Sequence, residues 1–518
     1  MADGGVARYA PVRAMTTLSA GPDAAPPPSL GRSARQGVLW MLGSRGGEQA
    51  LSLLITIVLA RLLSPADYGL IGMASLFLVF LGRFTDLGTG ASIIQQRDLG
   101  SEQLSSIFWF NLMTGLALAV IAAAVAPLAA RFFSEPRVAN VLWVLALTLP
   151  LQALAVVPDS LLRRQLQFRR WVVRNVGAIA IAGVAGIAVA WAGGGVWALV
   201  VQQVTQPLIV AIVLWAVVDW RPQPRFQIRH LREVWEFTTG VVGVNFLNYI
   251  GRNADYLLIG RYLGAVPLGL YTVAYRLMMF PVRNLAGVAA QALFPVFSRM
   301  QEDEARLAAG YIRVSRYISA LTFPMMVGLA LTARDFIQVV YGPRWLQSAD
   351  LLIYLSLAGL LQPATSLFTA VVWAKGYSRW HLKYMTLEVG IMVIGFAVGL
   401  RWGVAGVARS YLATAWLASA ITIVGMFGRC GISRAAFARA LSAPAAAALA
   451  MTAGVVMMRV AMRTYGGMPA AAPARLLIDV AAGALLYGAV LWIADGEIRQ
   501  IVRRYWSRLP RSVRKNNQ

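Results

Sequence analysis

The chain has 518 residues, of which 58% are apolar and only 13% charged, and its mean hydropathy is +0.63. Soluble domains carry about 25% charged and about 45–50% apolar residues, so this composition excludes both a soluble globule and a disordered chain. The 47 Lys+Arg stand against 22 Asp+Glu, a formal charge of +25, while one Cys and two His leave no intramolecular disulfide and too few ligands for a Cys/His zinc or haem site.

Residues 1–36, with Pro26, Pro27 and Pro28, lack a signal-type apolar core and read as a disordered cytoplasmic leader. A membrane-crossing helix needs about 20 mostly apolar residues. That window predicts fourteen spans. Six fall at 38–61, 68–94, 105–130, 138–160, 172–192 and 195–218. Six more fall at 236–260, 268–297, 315–333, 350–374, 382–401 and 404–428. The last two are 442–462 and 474–494, and a basic tail with an interfacial helical pattern (Ile498, Ile501, Val502, Tyr505, Trp506) follows from 496 to 518.

Basic residues set the expected orientation. The loop 163–174 holds Arg163, Arg164, Arg169, Arg170 and Arg174, whereas the opposite-side loop Gly193-Gly194-Gly195 holds none. The basic loop set is then cytoplasmic, with both termini inside. The net charge is accordingly topology and anionic-lipid contact rather than a nucleic-acid footprint.

The chain also resembles itself at an offset of 200. From 61–83 to 261–283 there are seven identities in 23 ungapped positions, including Arg61/Arg261, Gly69/Gly269 and Arg83/Arg283. Six spans per repeat is an even number, so both copies share one orientation and are related by an axis along the membrane normal. The expected fold is all-α: a polytopic membrane protein with a lobe at 37–218, a second at 219–430, a central cavity between them, and two further helices within 431–495.

Charged residues inside spans cost about 2.5–3.5 kcal/mol at mid-depth and so face protein or water. Span 1 aligns Arg45, Glu48, Ser52 and Thr56 on one face, and span 7 aligns Asn245, Asn248, Arg252 and Asp255. Two facing polar stripes line a wet cavity. Arg45, Arg83 and Arg283 fall toward the cytoplasm and Arg252 and Arg276 toward the outside, a cationic ladder suited to a phosphate-bearing cargo. The other reading is local ion pairing of Arg45–Glu48, Arg83–Asp86 and Arg252–Asp255, each three residues apart, which suits Asp86 and Asp255 better. Glu48 and Glu388 are candidates for a coupling proton or cation; Glu388 has no Arg within one turn. No cofactor or metal is expected. Pro150, Pro207, Pro281, Pro324 and Pro363 interrupt spans as bending points.

Several segments are similar to a known family. Leu59-Ala60-Arg61-Leu62-Leu63-Ser64-Pro65-Ala66-Asp67-Tyr68-Gly69-Leu70 resembles the first loop of Wzx-type polysaccharide flippases. Phe84-Thr85-Asp86-Leu87-Gly88 with Ile94-Gln95-Gln96 resembles their second helix, and 252–260 their seventh. Phe294-Pro295-Val296-Phe297-Ser298-Arg299 and Tyr341-Gly342-Pro343-Arg344-Trp345 also match. These motifs span about 38–430 and resemble the WzxC-like branch of the multidrug/oligosaccharidyl-lipid/polysaccharide exporter superfamily. The resemblance implies two lobes opening alternately to each side of a bacterial inner membrane. It implies an undecaprenyl-pyrophosphate-linked oligosaccharide as cargo, with a polysaccharide polymerase and chain-length or export machinery as partners. It also implies that the last two helices form a lipid-tail groove, although their Ala-rich run at 444–448 fits close helix packing equally well. An antiporter for drugs is the alternative within the superfamily. A membrane polymerase or ligase is a further one, though the longest outer loop (333–350) and the positions of His230 and His381 do not favour it.

Overall fold

The computed structural model describes residues 30–86, 88–95, 100–164, 168–226, 249, 251–429, 431–465 and 471–500. Among these residues there is no strand. The first predicted span is α1 (Leu30–Leu62), the second α2 (Pro65–Gly82) with the short α3 (Thr89–Gln95), and the third α4 (Ser101–Phe133). The fourth is bent into α5 (Arg137–Ala146) and α6 (Thr148–Arg164), the fifth is α7 (Phe168–Trp191) and the sixth α8 (Val196–Val217). The described part of the seventh is α9 (residues 251–263). The eighth is α10 (Ala265–Pro281), a π-helical turn (Val282–Gly287) and α11 (Val288–Arg299); the ninth is α12 (Glu304–Val340). The tenth is α13 (Gln347–Ala358) and α14 (Gln362–Ala374), bent by 44°. The rest are α15 (Ser378–Gly399), α16 (Gly403–Arg429), α17 (Arg434–Thr464) and α18 (Ala472–Ala494).

Several boundaries differ from expectation: α12 starts at Glu304 rather than 315, α17 at Arg434 rather than 442, and the span expected at 68–94 is split between α2 and α3. α1 begins at Leu30, inside the stretch expected to be leader, and no proline stands between Pro28 and Pro65 to break it. Residues 1–29, most of span 7 and residues 501–518 lie outside the described residues. The expected C-terminal helix does start: Asp495 caps residues 496–500, accepting from the Glu497 and Ile498 amides.

Local chemistry explains the breaks. Ser64 and Asp67 form a capping box, with Pro65 at the first helical position of α2, so the family-like motif is a helix start. Gly193 and Gly195 have φ of +80° and +53°, which only the glycine turn between α7 and α8 accommodates cheaply. α15 and α16 form an antiparallel pair: Phe396 stacks on Tyr411, and glycines 395, 399 and 425 meet Thr414, Ser410 and Tyr384. α17 and α18 pair in the same sense through Gly454–Leu486 and Gly483–Met451.

The two halves meet where α2 and α10 begin. A Cβ on Gly69 would fall 1.8 Å from the Ala265 carbonyl oxygen, and one on Gly269 would fall 1.8 Å from the Pro65 carbonyl oxygen. Position 69 thus touches 265 while 269 touches 65. That reciprocity at an offset of 200 is the signature of two repeats related by a two-fold axis. The same end carries two arginine latches. Arg61, at the end of α1, donates to the Val340 carbonyl at 2.9 Å and to that of Val339, at the end of α12. Its counterpart Arg261, on α9, donates at 2.9 Å to Ser134 Oγ at the end of α4. The fully buried Trp345 of the Tyr341–Trp345 motif packs edge-on against Tyr68 and donates to the Ala60 carbonyl at 2.8 Å.

Candidate functional site

Between the lobes lies a cavity of about 1050 Å³, walled by α1, α2, α9, α10, α12, α17 and α18. Four expected residues line it: Arg83, Arg252, Arg276 and Arg283. At 1.5 Å per residue, Arg252 and Arg276 stand about 17 Å from the latched end, and Arg83 and Arg283 about 27 Å from it. None of the four makes an ion pair or side-chain hydrogen bond within the described residues. Arg283 and Asn284 sit on the π-helical turn directly after Pro281, and both line the cavity. Of the polar stripe of span 1, Ser52 and Thr56 line the cavity.

The acids behave differently from expectation. The local ion pairs Arg83–Asp86 and Arg252–Asp255 do not form. Asp86 caps α3 instead, accepting from Thr89 Oγ1 and the Gly90 amide, both at 2.8 Å. Asp255 is 2% exposed and accepts from Tyr271 Oη at 2.8 Å and from the Tyr256 amide, away from the cavity. Donors at the start of α3, at the next residue of α9 and on α10 hold these two acids, while the arginine three residues from each lines the cavity. Glu48 does not line the cavity, and its Oε1 is buried without a hydrogen-bond partner among the described residues. Glu388 also stays outside the cavity; its neighbour Val389 packs against Gly251, which places Glu388 and Arg252 on adjacent helices. The side chain of Arg45, and Asn248 entirely, lie outside the described residues.

Sequence reasoning missed one charged cluster. Arg459 on α17 pairs with Asp479 on α18 at 2.6 Å, and Arg475 pairs with Asp335 on α12 at 3.0 Å, while Arg459 also approaches Asp335 at 3.8 Å. At the other end of α12, Arg316 pairs with Glu497 at 2.9 Å and lies 3.8 Å from Asp495. Part of the signal was present: Asp479 sits inside span 14, an acid at membrane depth, whereas Asp335 falls just past span 9. Asp479 reaches the cavity wall, yet it is committed to Arg459. The cavity's unpaired charge is therefore cationic.

A family described as polysaccharide biosynthesis protein matches residues 58–350. The chain is 27% identical over 470 residues to the teichuronic acid biosynthesis protein TuaB of Bacillus subtilis (strain 168), covering 89% of this chain and 95% of that one. It is 26% identical over 498 residues to the succinoglycan biosynthesis transport protein ExoT of Rhizobium meliloti (strain 1021), covering 93% and 97%. Against the lipopolysaccharide biosynthesis protein WzxC of Escherichia coli (strain K12), it is 23% identical over 370 residues, covering 70% and 74%. Its fold is similar to that of the lipid II flippase MurJ in an inward closed conformation, with a TM-score of 0.69 at 14% identity over 90% of this chain and all of that one. An inward-facing multidrug resistance MATE transporter of the MOP superfamily aligns with a TM-score of 0.53 at 16% identity, covering 74% and 94%. With more than half its length matched in one continuous stretch, this chain belongs to the polysaccharide biosynthesis protein family.

Proposed function

We propose that this protein is a flippase. It carries undecaprenyl-pyrophosphate-linked oligosaccharide units from the cytoplasmic to the periplasmic leaflet of a bacterial inner membrane, for assembly of exopolysaccharide, capsule or O-antigen. The observation that carries this reading is the set of four arginines, free of ion pairs among the described residues, in a cavity of about 1050 Å³ between two membrane-embedded lobes. Guanidinium stays charged when desolvated and pairs bidentately with phosphate oxygens, whereas a cationic drug would be repelled. Relatives named for biosynthesis and transport of polysaccharides support the same cargo class.

On this reading both termini are cytoplasmic, and the latched α1–α2 end is the periplasmic gate. The cargo's head enters from the cytoplasm, and the lobes rock to release it outside. A proton or cation gradient or the membrane potential supplies the energy, with Glu48 and Glu388 as the candidate acids. A polymerase takes the delivered unit.

The test is a strain lacking the gene. Complete lipid-linked units trapped in the cytoplasmic leaflet are the expected result. Truncated units would instead identify a step of assembly, and an unchanged lipid pool would remove the polysaccharide reading altogether.

A further inference from the structure

A second cavity, of about 950 Å³, opens within the first lobe among α2, α3, α6, α7 and α8. It shares Ser75, Val79 and Arg83 with the central cavity, so the two are adjoining rooms with Arg83 at the doorway. Their chemistry differs. In the second cavity every charge but that of Arg83 at the doorway is committed to a protein partner. Asp159 pairs with Arg163 at 2.7 Å and with the 7%-exposed Arg174, which also donates to Asn175 at 2.8 Å. Asp86 is held by the α3 terminus, as described above.

What remains to meet a ligand is a set of primary amides. Gln152 comes from α6, and Gln203 and Gln206, three residues apart, share one face of α8. None of the three makes a side-chain hydrogen bond within the described residues. Each amide carries two donor hydrogens and an acceptor oxygen in one plane. That set matches vicinal sugar hydroxyls, each of which both donates and accepts. Amides at membrane depth without a protein partner are costly to keep unless a ligand or water satisfies them. The lining contains no aromatic ring among the described residues, so recognition here is by hydroxyl pattern rather than by stacking.

We propose that this cavity of the first lobe is the glycan subsite. It takes the uncharged sugar portion of the cargo on Gln152, Gln203 and Gln206 while the arginines of the central cavity hold the diphosphate. This rests on the flippase reading and deepens it. The volume lies at the upper end of the range of roughly 300–1,000 Å³ typical of ligand sites, which suits several sugar residues rather than one.

The test uses the purified full chain in proteoliposomes with two probes. One is the lipid-linked unit accumulated by the deletion strain; the other is undecaprenyl diphosphate bearing a single hexose. Translocation is read as the fraction of sugar reached by membrane-impermeant periodate. Gln203→Leu/Gln206→Leu is expected to slow the complete unit by about tenfold per lost hydrogen bond while moving the single-hexose lipid at the wild-type rate. Equal slowing of both probes, or no slowing of either, overturns the subsite. If the double variant melts early in detergent, Gln152→Leu on α6 decides by the same comparison. Wild-type protein that moves neither probe overturns the flippase reading itself, which is a distinct result.

Discussion

Arg252 illustrates how far a single residue could be read from the sequence. Its cost at membrane depth marked it, along with Arg83, Arg276 and Arg283, as facing protein or water, and all four line the cavity. The partners of the acids were not legible. Asp86 and Asp255 stand three residues from an arginine, a spacing equally compatible with pairing and with pointing apart; the donors that hold them, Thr89 and Tyr271, are set by packing of other turns and helices. For Arg252, a role in holding phosphate predicts that Arg252→Ala reduces export by about tenfold or more at normal protein level. Arg252→Lys should recover only part, because ammonium loses the bidentate geometry. Export is measured as surface polysaccharide per cell. Unchanged export with either substitution would remove Arg252 from the site.

Helices break at some of the expected prolines and not at others: Pro207 and Pro324 lie within the unbroken α8 and α12. Pro363 begins α14 after the break at 359–361, and Pro150 stands at the start of α6 after the bend at Leu147. Pro281 does more than kink: it is followed by a π-helical turn that no proline count foretells. The attachment of α17 and α18 was also invisible, since it depends on charges from three helices meeting. Ion pairs from Asp335 and Arg316 of α12 and the Tyr487 hydroxyl, which donates to the Ala320 carbonyl at 2.9 Å, bolt the helix pair to the second lobe. The pair therefore moves with that lobe as one wall of the cavity. Asp479→Asn leaves Arg459 only the more distant Asp335, 3.8 Å away, and should destabilise the protein by about 2 kcal/mol. Thermal unfolding in detergent checks this. Arg459→Gln added to Asp479→Asn should restore part of the loss, and a double variant no better than the single would argue against a pair.

For the whole molecule, the offset of 200 already predicted two equivalent lobes, and the reciprocal contacts 69–265 and 65–269 realise it. Which end is closed could not be read from the chain, because the same sequence serves both states of an alternating transporter. Here closure rests on Gly69, Gly269, Trp345 and the two latches. Arg61→Ala with Arg261→Ala removes one clasp from each side and should shift the population toward opening at that end, about fivefold per hydrogen bond lost. In a Cys430→Ser background, Thr56→Cys lines the cavity and reports the change. Labelling by an impermeant thiol reagent from outside should rise several-fold; an unchanged rate would mean the latches do not hold the gate.

The reciprocal joint has the form of an interface between two identical subunits, yet both sides belong to one chain. In a true homodimer every residue placed on one side appears on the other, so a cavity on the axis must be lined twice over by the same groups. Fusion of a duplicated half removes that constraint while keeping the hinge. Arg83 and Arg283 still occupy equivalent positions, whereas Arg252 and Arg276 have Ser52 and Leu76 as their counterparts, and the amides of the second chamber, Gln152, Gln203 and Gln206, come from the first half. A symmetric machine can thereby grip a cargo whose two ends are chemically unlike.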